Sequence, residues 1–386
     1  RQGQEARRGR VRGPRLSTVR PLEGGDIAEV AAMFQRVLRK ERSSPPASLL
    51  DYMKRFYLDA PGRGDGINPL VHVADAGRVS GFVGVHALPM QLEGRPLRAA
   101  ICGSLMVEDR ERDPMAGARL LKAFLDGPQD LSFSETANEV STQLWTRLRG
   151  VVLPQYSLDW VRVIRPSAFG LGLVANRIAL ARAFSPLAHA VDGYFRKRMA
   201  GKGRRWSGVP AATTAPSALR VEEVGADAFA GLLEALSSQF ALRPRWDKVP
   251  LDGILADAAD KPELGELVLA RVASPAGVAV GAFAYHARPA HVGRVLQVLA
   301  LPGQAGAVVD CLIDHAAARG VAGLRGRTQP ALLEAMLVRR IAFVPVASTV
   351  VHSRDPGLLD AMTSGRAFLN GLAGEQWSRL IGGSFA

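Results

Sequence analysis

Cysteine is almost missing from this chain: Cys102 and Cys311 are the only two in 386 residues, too few for a disulfide framework. Long apolar runs are missing too. The longest uncharged stretch, 272–287, contains Gly, Pro and His, and is too short and broken to cross a bilayer. The start shows no charged, then apolar, then small-residue pattern of a secretory leader, so a reducing cytoplasm is the expected setting. Chemical signatures are equally sparse. There is no G-x-S-x-G elbow, no H-E-x-x-H, and no phosphate-loop motif despite Gly201 and Lys202. The seven histidines are scattered, and no metal is expected. Gly170, Gly172 and Ala175 fit G-x-G-x-x-A with Asp192 downstream, but no strand–helix–strand unit surrounds them.

What is present is a globular composition, 47% apolar and 22% charged, of a length that suits two domains. Two short segments hold most of the net charge of +13. In the first, Arg1, Arg7, Arg8, Arg10, Arg12 and Arg15 stand against Glu5 alone. The second has Arg196, Lys197, Arg198, Lys202, Arg204 and Arg205 with no acid. Such blocks are either solvated tails or docking points for an acidic partner or an anionic membrane surface. Tyr194, Phe195 and Trp206 flank the second block and suit an interfacial segment. The first has no interleaved aromatics, and nucleic acid is not the expected partner.

Periodicity predicts strand 16–22, a helix capped by Asp26, a helix over 46–59, and antiparallel strands 70–74, 79–88 and 97–107. A helix over 114–125, strand 131–134, helix 140–148 and strand 155–164 follow. The same order then recurs: strand 219–224, a helical region, strands 267–272, 278–286 and 294–301, helix 306–318, strand 321–325, helix 330–339 and strand 346–352. Ala116, Gly117 and Ala118 align with Ala305, Gly306 and Ala307, each at the start of the third helix of its copy. Four regions are expected: a basic arm (1–15), a first domain (16–166), a helical and basic linker (167–216) and a second domain (217–386).

This order resembles the GCN5-related N-acetyltransferase (GNAT) fold, present twice. The implied class is α+β, with two tandem domains, each a mostly antiparallel mixed sheet flanked by helices. In that family the fourth strand leads into a loop of the form Arg/Gln-x-x-Gly-x-Gly/Ala. Here Leu105, Met106 and Val107 end the strand, and Arg112, Asp113, Pro114, Met115, Ala116 and Gly117 follow. Arg112 and Gly117 match; Met115 replaces the first glycine. Backbone N–H groups at a helix start converge on an anion, aided by the helix dipole. Met115 adds bulk there, while Asp109, Glu111 and Asp113 add negative charge.

The resemblance implies acetyl-CoA or another acyl-CoA as co-substrate, held by 105–107, the loop through Ala118, Asn138 after the fifth strand, and Trp145. The last stands near the tyrosine that family members use to protonate the leaving thiolate, and indole is too weak an acid for that. Glu135 or Tyr156 is the candidate general acid or base. The acceptor is expected to be an amine of a small molecule or sugar, and an acyl carrier protein is an alternative donor suited to the basic segments. In the second copy the corresponding loop, Pro302 to Ala305, is too short to wrap a pyrophosphate, while Tyr285, His286, Arg294 and Gln297 fall on central strands. A scaffold that has lost CoA is the competing reading, and the oligomeric state, monomer or homodimer, stays open.

Overall fold

Alternating side chains set the layers. In the strand of 79–92, Val83 and Val85 face one helical layer and Phe82 the other, as the period of two requires. The computed structural model describes residues 17–59, 66–74, 77–108, 111–175, 218–339 and 341–386, with 171–175 given by backbone alone. The basic arm, the basic run 196–206 and Asp109 and Asp192 lie outside these residues, as does most of the 167–216 linker.

In the first sheet, β1 (Thr18–Pro21), β2 (Leu70–Val73), β3 (Val79–Leu92) and β4 (Arg95–Val107) are antiparallel neighbours in sequence order. β5 (Leu131–Ala137) joins β4 in parallel, and the short β6 (Val151–Val152) forms the far edge. α1 (Ile27–Phe34) and α2 (Ala47–Tyr57) pack on one face, α3 (Ala116–Leu125) and α4 (Glu139–Arg147) on the other. In α3 the buried set Ala116, Leu120, Leu121, Phe124 and Leu125 follows the 3.6-residue period that the sequence shows. α1 runs on into a wide π turn over Gln35–Arg39 that ends at left-handed Lys40, bringing Leu38 and Arg39 beside the strand ends.

The strand after β6 leaves this sheet. β7 (Leu158–Val163), read from the sequence as the end of the first copy, lies in the second sheet, and α5 (Pro166–Ala175) follows it. That sheet repeats the first: β8 (Arg220–Glu223), β10 (Glu266–Ala273), β11 (Ala279–Ala287) and β12 (Val292–Ala300) are antiparallel. β13 (Gly323–Arg327) is parallel to β12, and β14 (Ala342–Pro345) is the edge. β7 fills the slot between β13 and β14. Reciprocally β15 (Ser348–Ser353) fills the slot between β5 and β6 of the first sheet. β9 (Leu242–Pro244) also crosses over, pairing with β3. α6 (Ala226–Ser237) and α7 (Lys248–Ala259) cover one face of the second sheet, α8 (Ala305–Ala318) and α9 (Pro330–Leu337) the other. α10 (Pro356–Thr363) packs back on the first sheet. Ala116 and Ala305 begin α3 and α8, as the internal alignment requires.

Two details explain the exchange. Pro345 ends β14, and only two residues separate it from β15, so the chain steps across instead of returning beside β14. Asp159 on β7 then pairs with Arg325 at 2.6 Å and Arg327 at 3.2 Å, both on β13. Each sheet therefore needs a strand from the other half. We expect chemical denaturation to give one transition at every probe, including fluorescence of single-tryptophan variants keeping Trp145 or Trp246. Two separated transitions would contradict this interdependence.

Candidate active site

β4 and β5 pair only through Ala99–Ile101 and Leu131–Phe133, then diverge toward their C-terminal ends. At the divergence β4 bulges: its register against β3 shifts so that Ser104 and Leu105 together oppose Val83, and Ser104 sits at φ 52°. A non-glycine residue there is strained, and such strain is held only where its surroundings enforce it. The Tyr57 hydroxyl shares a hydrogen bond with Ser104. The opening holds a cleft of about 360 Å³, lined by Cys102, Ser104 and Leu105 of β4 and by Ser134, Thr136 and Ala137 of β5. Phe34, Leu38, Arg39, Leu380 and Ile381 supply its apolar and basic walls. A smaller cavity of about 110 Å³ shares Leu105, Asn138 and Ser141 with it and runs past Val107 and Leu144 to Asp113, Pro114 and Gly117 at the start of α3.

Into the apex of this opening comes a residue that sequence reasoning missed. The C-terminal segment first bridges the equivalent opening of the second sheet: Asn370 donates to the Thr328 carbonyl at the end of β13, and Gln297 on β12 accepts the Leu372 N–H. It then reaches the first sheet, where Glu375 accepts a hydrogen bond from the Thr136 hydroxyl and lies so close to Gly103 that a Cβ there would overlap its carboxylate. Glu375 lines the main cleft, and burial together with the nearby charge of Glu135 pushes its pKa up to about 8. The thiol of Cys102, buried in the same wall, is pushed up by its desolvation and by Glu375, which disfavours a thiolate there.

Each residue expected from the sequence has a definite place. Leu105 and Val107 line the cavities, whereas Met106 points into the core under α1 and α2. Arg112 is exposed, as is Met115, at 58%. Ala116 is buried, Gly117 lines the smaller cavity and Ala118 is half-buried. Asn138 caps α4 by accepting the Ser141 N–H at 2.9 Å and lines both cavities. Trp145 is fully buried against Phe124 and is not among the residues lining either cavity. Tyr156 is also in the core, its hydroxyl donating to the Ala367 carbonyl. Glu135 is fully buried, because β5, expected over 131–134, extends to Ala137 and encloses it.

Where the resemblance implies a phosphate, the chain supplies a carboxylate of its own. Asp113 accepts the Met115 N–H at 3.2 Å, is ion-paired with Arg119, and lies 3.4 Å from the buried His72 imidazole. Helix geometry leaves the Gly117 and Ala118 N–H groups without intrahelical acceptors. In the second copy, a Cβ at Gly306 would overlap the Arg339 guanidinium, which is held by Asp310. There Arg294, Gln297 and the preceding Lys261 hold the C-terminal segment through Gln376, Leu372 and Ile381, and His286 is buried on the Ala258 carbonyl. Among the described residues no group is placed to hold a metal ion, and no helix is long and apolar enough to cross a membrane.

The raised Glu375 pKa has a stability consequence. Folded protein keeps this proton after the unfolded chain has lost it, so stability falls as pH rises from the ordinary glutamate range to about 8. Glu375→Gln removes that penalty. Its melting temperature should gain on that of the parent between about pH 5 and 8; a constant gap would contradict the raised value.

No protein-family model matches the sequence, and no curated protein matches it. Solved structures do. A GCN5-related N-acetyltransferase from Anabaena variabilis ATCC 29413 superposes with a TM-score of 0.57 at 10% identity, over 90% of this chain and 75% of that one. One from Kribbella flavida gives 0.51 at 12% identity, over 89% and 74%. A conserved protein from Enterococcus faecalis V583, described as "Probable N-Acyltransferase", gives 0.56 at 11% identity, over 88% and 73%. The chain has the fold of the GCN5-related N-acetyltransferases, laid out as two mixed sheets flanked by helices.

Proposed function

We propose that this protein is an N-acyltransferase, moving an acetyl or longer acyl group from a thioester to an amine at the cleft between β4 and β5. The observation that carries the reading is the Glu375 carboxyl at the apex of the opening, protonable near neutral pH. In this reading the thioester arm lies along 105–107, where β4 stays paired with β3 but has parted from β5, so that its open edge offers backbone N–H groups to the carbonyl. The pyrophosphate of an acyl-CoA faces Gly117 and Ala118, with Arg112 and Arg119 as nearby cations. Glu375 takes the proton of the attacking ammonium, a role that neither Tyr156 nor Glu135 has the position to fill. Attack is direct, because the high thiol pKa of Cys102 disfavours an acyl-cysteine intermediate. Ser104, backed by Tyr57, is the hydroxyl best placed to hydrogen-bond the departing thiolate, which takes its proton from the amine nitrogen as the amide forms.

A small molecule or amino sugar is the proposed acceptor, in a cytoplasmic setting, and acyl carrier protein remains the alternative donor. The second reading, a scaffold that has lost its ligand, has Asp113 in its favour: a carboxylate already sits where an anion would bind.

Calorimetric titration with acetyl-CoA separates the two. The enzyme should bind about one equivalent, and Gly117→Trp should abolish binding by filling the smaller cavity. Asp113→Asn should tighten binding about 2- to 5-fold, the size of one charge at a helix start. With a reactive amine, Glu375→Gln should lower kcat by about 100-fold or more. No binding at millimolar ligand would reject acetyl-CoA chemistry.

A further inference from the structure

The least explained group near the cleft is Glu135. It is fully buried on β5, one residue before Thr136, and its side chain faces away from the cleft toward the C-terminal segment. One carboxylate oxygen accepts the N–H of Glu375 at 2.6 Å and that of Gln376 at 2.9 Å, and the other accepts the Gly371 N–H at 3.3 Å. A Cβ at Gly374 would overlap this carboxylate, so the turn closes on it. Three donors converge on one buried side chain, and one of them belongs to the residue that enters the cleft.

We propose that Glu135 is a positioning residue for Glu375: it fixes the backbone from which the Glu375 carboxylate projects and acts on that carboxylate as a second buried charge. This rests on the reading of Glu375 as the general base. The charged and titratable groups around the pair come from every packed element. They are Arg327 at the end of β13, Arg294 on β12 and Lys261 after α7 on the Glu135 side, and Tyr57 on α2, His86 on β3, Cys102 on β4 and Arg39 of the cleft wall on the Glu375 side. Burial pushes both carboxyls up; Arg327 and three N–H donors oppose this on Glu135, while on Glu375 the charge of Glu135 adds to the rise and the Thr136 hydroxyl and Arg327 oppose it. With three N–H donors on the Glu135 carboxylate against one hydroxyl on that of Glu375, Glu375 is the member better suited to take up the proton. A base that titrates near neutral pH is matched to an ammonium acceptor.

The test is a carbon-13 NMR titration of the two glutamate side-chain carboxyls in the intact chain, assigned with Glu375→Gln, beside the pH profile of kcat/KM. In the parent, each carboxyl should report both macroscopic steps, a result available even if a variant fails to fold. Glu135→Gln should lower the Glu375 pKa by about 1 unit or more and move the acid limb of the rate profile with it, whereas Glu135→Asp, which keeps the charge, should leave it raised. Independent single-step titration in the parent, or a Glu375 pKa unmoved in Glu135→Gln, would overturn the proposal. If instead Glu375→Gln keeps full activity while the titrations are coupled, the base assignment fails and the pairing of the two carboxyls stands.

Discussion

The structure depends on how the ends of two parallel strand pairs are filled. Wherever two parallel strands diverge, their backbone N–H and C=O groups lose partners and must find others or face solvent. This chain meets that constraint twice with one segment. In this segment Asn370 donates to the Thr328 carbonyl just past β13 and Leu372 finds an acceptor on β12, and the chain then passes to the first sheet, where a carboxyl side chain enters in place of backbone. One opening is closed and the other keeps a cleft. Lys261, which is fully buried, holds the segment by donating to the Gln376 and Ile381 carbonyls, and Arg39 binds the Gly383 carbonyl from the other half.

The exchange of β7 and β15 belongs to the same design. With each sheet completed by the other half, the two openings are fixed relative to one another, and a segment bridging both can hold Glu375 in a set position. A side chain on a segment outside regular helices and strands is usually mobile. Here it is tied by Glu135, by Tyr52 accepting the Arg379 N–H, and by the packing of Trp377 against Phe56 and His86. Burial pushes the His86 pKa down to about 4, so this ring is neutral beside the cleft and adds no charge to the Glu375 environment.

Much of the scaffold was legible because its signals are local. The alternation in β3, the period of α3 and the repeated Ala–Gly–Ala at the starts of α3 and α8 depend on near neighbours in sequence. β14 is hidden because Pro345, which ends it, reads as a breaker before the strand over 346–352. Strand exchange has no signature in periodicity, since β7 and β15 look the same whichever sheet they enter. Glu375 was invisible for a related reason. It lies outside any periodic element, in the run Asn370 to Gln376, whose only signals are Gly371 and Gly374, and its chemistry arises from residues 240 positions away. Trp145 is a site candidate by its place in the family order and Tyr156 as a substitute acid or base, yet both fill the core, as large aromatics usually do.

The central claim is that the C-terminal segment is a fixed part of both sheets and not a loose tail. Native-state hydrogen exchange at the Glu375 and Gln376 amides tests it most directly. The account predicts protection approaching that of the core amides of β4 and β5, since both N–H groups are bonded to buried Glu135. Exchange at rates typical of an exposed tail would contradict it, and with it the placement of the Glu375 carboxyl in the cleft.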